Sequence, residues 1–496
     1  MHFRLERSRS FACLFGLSPL FLGIVSPPAR PPAGEPRSYS IDQVKLAALG
    51  KALFNDKSLS EPAGMGCVSC HSPETGFSYP NSILNAYFGP VKGVVNGRAG
   101  DRKPPSAAYA PYLPTGVPHY DNDAIAWVGG LFWDGRASDA VAQAKGPFLN
   151  PNEMNNLVHE LGSPKSVVDK IKKGPNALLF KEVFGEKVFL LPVTEVYDLV
   201  ARSIVAFEAS PEVSPFTSKY DAYLEGKAQL TPKELLGLRL TTGTLNGRPN
   251  GIPFRKSAHC MDCHGTSEDL TKAPDIWTNS CYANLGVPRN NANPYYRVTD
   301  SRSNPRGFNS YGKGYVDLGL GGFLYPFYGL SPGDPEHGDP LRINGAFKAP
   351  TLRNVDKRPY PGFVKSYMHN GVFKTLKDVV HFYNTRNLTT EPGEVIDYTK
   401  SHPYEGLKGK PLWGKPEYMD RNTLINPTGM GAGPGSRTAS APVGDLDAMQ
   451  IGNLLLTDDQ EDAIVAFLKT LSDGYFVRET PHPWIPETRI GLEGRK

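Results

Sequence analysis

The chain has 496 residues, with 54 Lys and Arg against 50 Asp and Glu, for a formal net charge of +4. So small an excess over that length gives no case for nucleic acid as a partner, and the length sets a soft expectation of two or three domains. With 51 Gly and 46 Pro, much of the chain should be loop between short helices.

At the start, Arg4, Arg7 and Arg9 precede an apolar run from Phe11 to Val25, followed by Pro- and Ala-rich sequence to residue 36. That is the layout of a secretory signal, although no clean Ala-x-Ala site ends it. The run is too short for an ordinary spanning helix, and no later apolar stretch is long enough. Cys13 lies inside the run, which argues against a lipid-anchored cysteine. Residues 1–34 are expected to leave as a signal peptide.

Ser40-Ile41-Asp42-Gln43 is a capping box, opening a helix that carries Val44, Leu46, Leu49 and Leu53. After a loop comes Cys67-Val68-Ser69-Cys70-His71. The same order recurs later: Thr231-Pro232-Lys233-Glu234 caps a helix with Leu235, Leu236 and Leu238, and Cys260-Met261-Asp262-Cys263-His264 follows it. In each motif two thiols can form thioethers to haem vinyl groups, and the adjoining His becomes the proximal iron ligand. With 6 Cys and 11 His, chance would supply roughly 0.0016 such pentapeptides. A thioredoxin-type pair does not call for the trailing His, and a shared Cys₄ zinc site leaves both histidines unexplained. Two covalently bound haems c are expected, and with them a periplasmic location, since haem is attached to such proteins outside the bacterial cytoplasm. Cys281 is left without a partner and reads as a small buried residue.

Each half closes on a similar amphipathic segment, Ser203-Ile204-Val205-Ala206-Phe207 and Ala463-Ile464-Val465-Ala466-Phe467, the latter introduced by the capping box Thr457-Asp458-Asp459-Gln460. Helix, haem loop and closing helix are the parts of a cytochrome c-like domain. The expected fold is mainly α, with two tandem domains of this kind over 35–215 and 216–480 and a tail at 481–496. Long loop insertions fall at about 85–130 and 384–450, the second with a Gly-rich run at 428–435.

Between the haem motifs lie Phe132-Trp133-Asp134-Gly135-Arg136-Ala137, Gln143-Ala144-Lys145-Gly146-Pro147 and Asn150-Pro151-Asn152-Glu153-Met154. After the second motif come Phe347-Lys348-Ala349-Pro350-Thr351-Leu352-Arg353-Asn354-Val355 and Tyr367-Met368-His369-Asn370-Gly371. Together these resemble the bacterial dihaem cytochrome c peroxidase and MauG superfamily, in pieces from about residue 40 to 475.

The resemblance implies roles for individual residues. The first haem is the peroxidatic one, and Glu153 stands where a distal carboxylate moves a peroxide proton from the inner to the outer oxygen. Gln143 falls where the family has a distal amide, Pro147 where MauG has a pocket proline, and Trp133 between the haems as an electron relay. Arg353, within the second-domain signature, is a cofactor-binding candidate. Without the family pattern, Glu153 would read as a solvated surface acid and Trp133 as a core residue.

Two departures stand out. The family's usual distal His on the first haem has no counterpart, since residues 72–101 contain no His; the first iron should be open, with the displaced His119 as the alternative ligand. On the second haem, Tyr383 falls where the peroxidases have a Met ligand and MauG a tyrosine, a donor that lowers the potential. Met368, His369 and His381 are its rivals. An inter-domain calcium ion is common in the family, but Lys103 replaces its usual Asn and the Asp356–Ser366 stretch carries a small insertion, so that ion is left open.

The function expected is reduction of hydrogen peroxide with electrons from a small cytochrome c or cupredoxin. Tyr383 and the missing His favour a MauG-like alternative, in which peroxide drives oxidation of a Trp or Tyr on a partner protein. A plain dihaem electron carrier, or a polyisoprene-cleaving dihaem oxygenase, would have no need of Glu153.

Overall fold

The computed structural model describes residues 41–122, 126–158, 161–244, 256–265, 275–298, 309–329, 341, 343–397, 402–418 and 451–476. The expected signal peptide, Ser40 of the first capping box, the Gly-rich run and the 481–496 tail lie outside the described residues.

Helices are the principal regular structure, as expected. The chain runs through α1 (Ile41–Asn55), α2 (Ser82–Tyr87), α3 (Ala140–Leu149), α4 (Pro164–Lys173), α5 (Ala177–Phe184) and α6 (Val193–Glu208). It continues through α7 (Lys219–Leu224), α8 (Pro232–Thr242), α9 (Met261–His264), α10 (Leu320–Phe327), α11 (Leu376–Thr385) and α12 (Asp458–Lys469). Strand structure among the described residues is confined to three antiparallel two-stranded ribbons. These are β1–β2 (His119–Asp121 with Ala126–Val128), β3–β4 (Leu157–Val158 with Leu161–Gly162) and β5–β6 (Tyr282–Ala283 with Phe347–Lys348). No helix of the described residues is long and apolar enough to cross a membrane.

The capping boxes set the helix starts. Thr231 accepts from the Glu234 amide while the Glu234 carboxylate accepts from the Thr231 amide at 2.7 Å. Thr457 and Gln460 exchange the same pair of bonds at α12. Each satisfies amides that a helix start otherwise leaves unbonded.

Two apolar cores result, one on each helix pair. In the first, Leu49, Leu53 and Phe54 of α1 pack with Val200, Ile204 and Phe207 of α6. In the second, Leu238 and Leu240 of α8 pack with Ile464, Phe467 and Leu468 of α12.

The loops that follow the two Cys motifs repeat the same bonds. Phe77 and Trp277 both sit in left-handed backbone, at φ 55° and 54°. The Phe77 carbonyl accepts from the amide of Ala107 at 3.0 Å, and the Trp277 carbonyl from that of Leu352 at 3.2 Å. Ser106 donates its hydroxyl to the Gly76 carbonyl and accepts from the Ala108 amide; Thr351 does the same with the Ile276 carbonyl and the Arg353 amide. Lys103-Pro104-Pro105-Ser106 and Lys348-Ala349-Pro350-Thr351 are therefore equivalent segments of the two halves.

Candidate active site: two Cys-x-x-Cys-His clefts

The first cleft is built around a tight turn. The amides of Cys70 and His71 both donate to the Cys67 carbonyl, at 3.1 and 2.9 Å, which sets two thiols and one imidazole on a single short loop. His71 Nδ1 lies 3.0 Å from the Phe77 carbonyl. A carbonyl acceptor at Nδ1 fixes the tautomer that leaves the Nε2 lone pair for a metal. Burial lowers the His71 pKa, which keeps the ring neutral and able to ligate.

The opposite wall comes from α3 and the loop after it. Asp139 caps α3 by accepting from the Ala142 amide at 2.7 Å, and Gln143 and Pro147, four residues apart, share one helix face. Past the helix, the Glu153 amide donates to Asn150 and its carbonyl accepts from Val94 at 2.9 Å, which pins the loop. Gln143, Pro147, Glu153 and Trp133 all line one cleft with Cys67, Cys70 and His71, enclosing about 1010 Å³ with the open mouth included. The ten-and-ten spacing of Trp133, Gln143 and Glu153 thus converges on one space. Burial pushes the Glu153 carboxyl up to about 7, with Arg136 opposing and Asp101 adding to the rise. A carboxyl titrating near neutrality is suited to moving protons in both directions.

His71 is the only histidine on this cleft's wall among the described residues. His119 lies exposed on β1, its Nδ1 3.2 Å from the Val117 carbonyl, and does not reach the cleft.

The second cleft repeats the arrangement. The His264 amide donates to the Cys260 carbonyl at 2.8 Å, and His264 Nδ1 lies 3.3 Å from the Trp277 carbonyl. Its walls are mostly apolar and enclose about 1370 Å³, mouth included. Tyr383, on α11, lines it with Cys260, Cys263 and His264, and burial raises the phenol pKa. Of the rivals, His381 is 46% exposed, bonds Glu461 at 2.9 Å and is absent from the cleft wall. Met368 and His369 do line the cleft. His369 is held away from free rotation, stacked on Phe347 at 3.5 Å and 3.3 Å from Glu417.

Trp133 borders both clefts and the cavity between them. Its indole N–H donates to the Lys103 carbonyl at 2.7 Å, and its carbonyl accepts from the Lys348 amide at 3.0 Å. Arg353 also borders the cavity, but its guanidinium is committed to Asp221 at 2.7 and 2.9 Å and to the Asp275 carbonyl.

Sequence reasoning missed three features. Lys348 faces the central cavity and could have been found from the repeated Lys-x-Pro-Ser/Thr pattern. Glu208, at the end of α6, is buried in the first cleft with Oε2 unbonded. The His369–Glu417 pair joins residues 48 apart, and no local pattern announces it.

Comparisons with known proteins fit this geometry. Residues 44–229 match the family model for di-haem cytochrome c peroxidase. The chain is 31% identical over 433 residues to the methylamine utilization protein MauG of Paracoccus denitrificans, covering 86% of this chain and 88% of that one. It is 27% identical over 358 residues to a cytochrome c551 peroxidase of Nitrosomonas europaea, covering 72% and 77%. The crystal structure of the diheme peroxidase BthA from Burkholderia thailandensis superposes with a TM-score of 0.60 at 30% identity, covering 86% of each chain.

Fold and clefts together define a haem-dependent oxidoreductase of the peroxidase type. The chain belongs to the di-haem cytochrome c peroxidase and MauG family.

Two haem groups follow from that membership, and the clefts suit them. Each is mostly apolar and presents paired thiols beside an imidazole whose Nδ1 is engaged by a carbonyl.

Proposed function

We propose that the protein is a periplasmic peroxidase of two tandem cytochrome c-like domains, 35–215 and 216–480, each carrying one covalent haem c. Cys67 and Cys70 would attach the first haem and His71 would ligate its iron; Cys260, Cys263 and His264 would serve the second. Bound haem supplies the iron centres that accept peroxide and pass electrons.

The chain's own residues then divide the work. Glu153 takes a proton from the inner peroxide oxygen and returns it to the outer one, which leaves as water. Its near-neutral titration matches that two-way task. Gln143 donates to the bound peroxide and holds it toward Glu153. Pro147, beside Gln143 on α3, narrows the cleft and limits bulk water. Trp133 lies between the two clefts as the relay for electrons. Tyr383, on the wall of the second cleft, would serve as a ligand to the second haem's iron.

One observation carries this reading: Trp133, Gln143 and Glu153 converge on the cleft that holds Cys67, Cys70 and His71. Electrons would come from a small cytochrome c or cupredoxin. A MauG-like reaction, with electrons drawn from a Trp or Tyr of a partner protein, is the second reading. It is favoured by Tyr383 on the second cleft wall and by the first cleft having no histidine opposite His71 among the described residues. Steady-state assay with peroxide and a reduced small cytochrome c separates the two. Rapid turnover supports the peroxidase; stoichiometric reaction without cytochrome turnover supports the MauG-like reading.

A further inference from the structure

Three lysines border the cavity between the two clefts: Lys103, Lys348 and Lys365. Lys348 and Lys365 are buried and Lys103 is half-buried. Their hydrogen bonds distinguish them. Lys365 spends all three N–H donors on the carbonyls of Thr75, Asn354 and Lys357, at 2.9, 3.1 and 2.9 Å. These oxygens come from both halves, and hard oxygens of this kind are what a bridging cation would use; here an ammonium holds them.

Lys103 and Lys348 are different. They occupy equivalent positions in the repeated Lys-x-Pro-Ser/Thr segments and flank Trp133, one through the indole N–H and the other through the backbone. Lys103 Nζ makes one long bond, 3.3 Å to the Pro104 carbonyl, and Lys348 Nζ bonds the Gly130 carbonyl. Each ammonium has three donors, so donors remain on both. No carboxylate among the described residues forms an ion pair with either. Glu208 borders the cavity with Oε2 unbonded, and Arg353 is saturated by Asp221.

Charged groups withdrawn from water without an anion are costly. Burial accordingly drives both amines down, Lys103 to about 8 and Lys348 to about 7. Two such groups at matching places indicate an anionic ligand delivered from elsewhere. Lys103 borders the first cleft as well as the cavity, and Lys348 the second. The groups those clefts take each carry two propionate carboxylates.

We infer that Lys103 and Lys348 are a paired cationic site for the propionate carboxylates of the two haems, joining the halves through the chain's own ammonium groups in place of a bridging metal ion. This rests on the two-haem reading above. A charged Lys103 offers no lone pair to calcium.

The test uses the purified haem-loaded protein, with haem counted per chain, calcium measured by mass spectrometry, and both reduction potentials titrated before and after EDTA. Parent protein, Lys103→Met, Lys348→Met and the charge-keeping Lys→Arg variants are compared. Expected are two haems per chain, far less than one calcium per chain, and potentials unmoved by EDTA. Lys103→Met should lower the first haem's potential and Lys348→Met the second's, since removing a nearby positive charge favours the more positive, oxidised iron; the Arg variants should stay near the parent. Potentials unchanged in both Met variants would overturn the inference. So would stoichiometric calcium in the parent whose removal shifts either potential, a result that needs no variant to fold. Fewer than two haems in the parent would instead defeat the two-haem reading.

Discussion

Gly50 and Gly237 hold the same place in the two halves. A Cβ on Gly50 would lie 1.8 Å from the Ser203 carbonyl oxygen and 3.0 Å from Phe207 Cβ; on Gly237 it would lie 1.9 Å from the Ala463 carbonyl oxygen and 2.8 Å from Phe467 Cβ. In each half the opening helix presses its backbone on the closing helix, α1 on α6 and α8 on α12. The obstacle is main chain, which cannot rotate away.

Gly50→Ala and Gly237→Ala should therefore each force a helix pair apart and cost about 3 kcal/mol, the upper part of the range for overpacking. Gly314→Ala, where nothing lies within 4 Å, should stay within about 0.5 kcal/mol of the parent. Denaturant unfolding of the three variants checks this. Equal stability would mean that the helices do not meet at these glycines.

The proton-moving role of Glu153 predicts a large kinetic effect from a small change. Glu153→Gln keeps size and hydrogen bonding but cannot take the proton, so peroxide consumption should slow by about 10²–10⁴-fold. Haem content and the second haem's spectrum should not change. Parental rates in this variant would leave an electron carrier as the better reading.

Peroxide consumption should also depend on pH in a stated direction. Burial lifts the Glu153 carboxyl to about 7, and the base form is the active one. The rate should therefore fall below neutrality, rise through about pH 7 and level off above it. Pre-steady-state rates from pH 5 to 9 test this, and a flat profile would assign the proton to another group.

Glu208 gives a stability prediction of its own. Burial raises its carboxyl from 4.5 to about 8, so the folded state holds this proton more tightly than the unfolded state. That contribution is complete below about 4.5 and is lost as pH rises through about 8. Glu208→Gln should flatten the decline of melting temperature over that window; an unchanged slope would mean that Glu208 is not its source.

Much of the site was legible because its signals are local. The Cys-x-x-Cys-His motifs fit a single turn, the boxes at Thr231 and Thr457 close within four residues, and Trp133, Gln143 and Glu153 are tied by spacing. The histidines were harder to sort because candidacy depends on where a side chain faces. His381 turns to Glu461 on α12, and His119 lies on an exposed hairpin. Lys348, Glu208 and Glu417 become conspicuous only through burial and long-range contact, which composition and periodicity do not encode. The equivalence of Lys103 and Lys348 was written in the sequence, but Lys-x-Pro-Ser/Thr is too short to be noticed before the loops are seen to share their bonds.

Ligation of the second haem can be read directly. With Tyr383 as the distal ligand, Tyr383→Met should raise that haem's reduction potential, because a thioether favours reduced iron, and leave the first haem's spectrum nearly unchanged. A potential that does not respond would move the ligand to Met368 or His369, which share the cleft wall.

The most direct measurement is stopped-flow absorption of the fully oxidised protein mixed with stoichiometric peroxide, with no reductant present. A first cleft with no histidine opposite His71 among the described residues should admit peroxide at once. Trp133 should then spread the oxidation, so that the absorption of both haems changes in a single phase. No reaction until one haem has been reduced would contradict an open first site and return the protein to the reductively activated peroxidases.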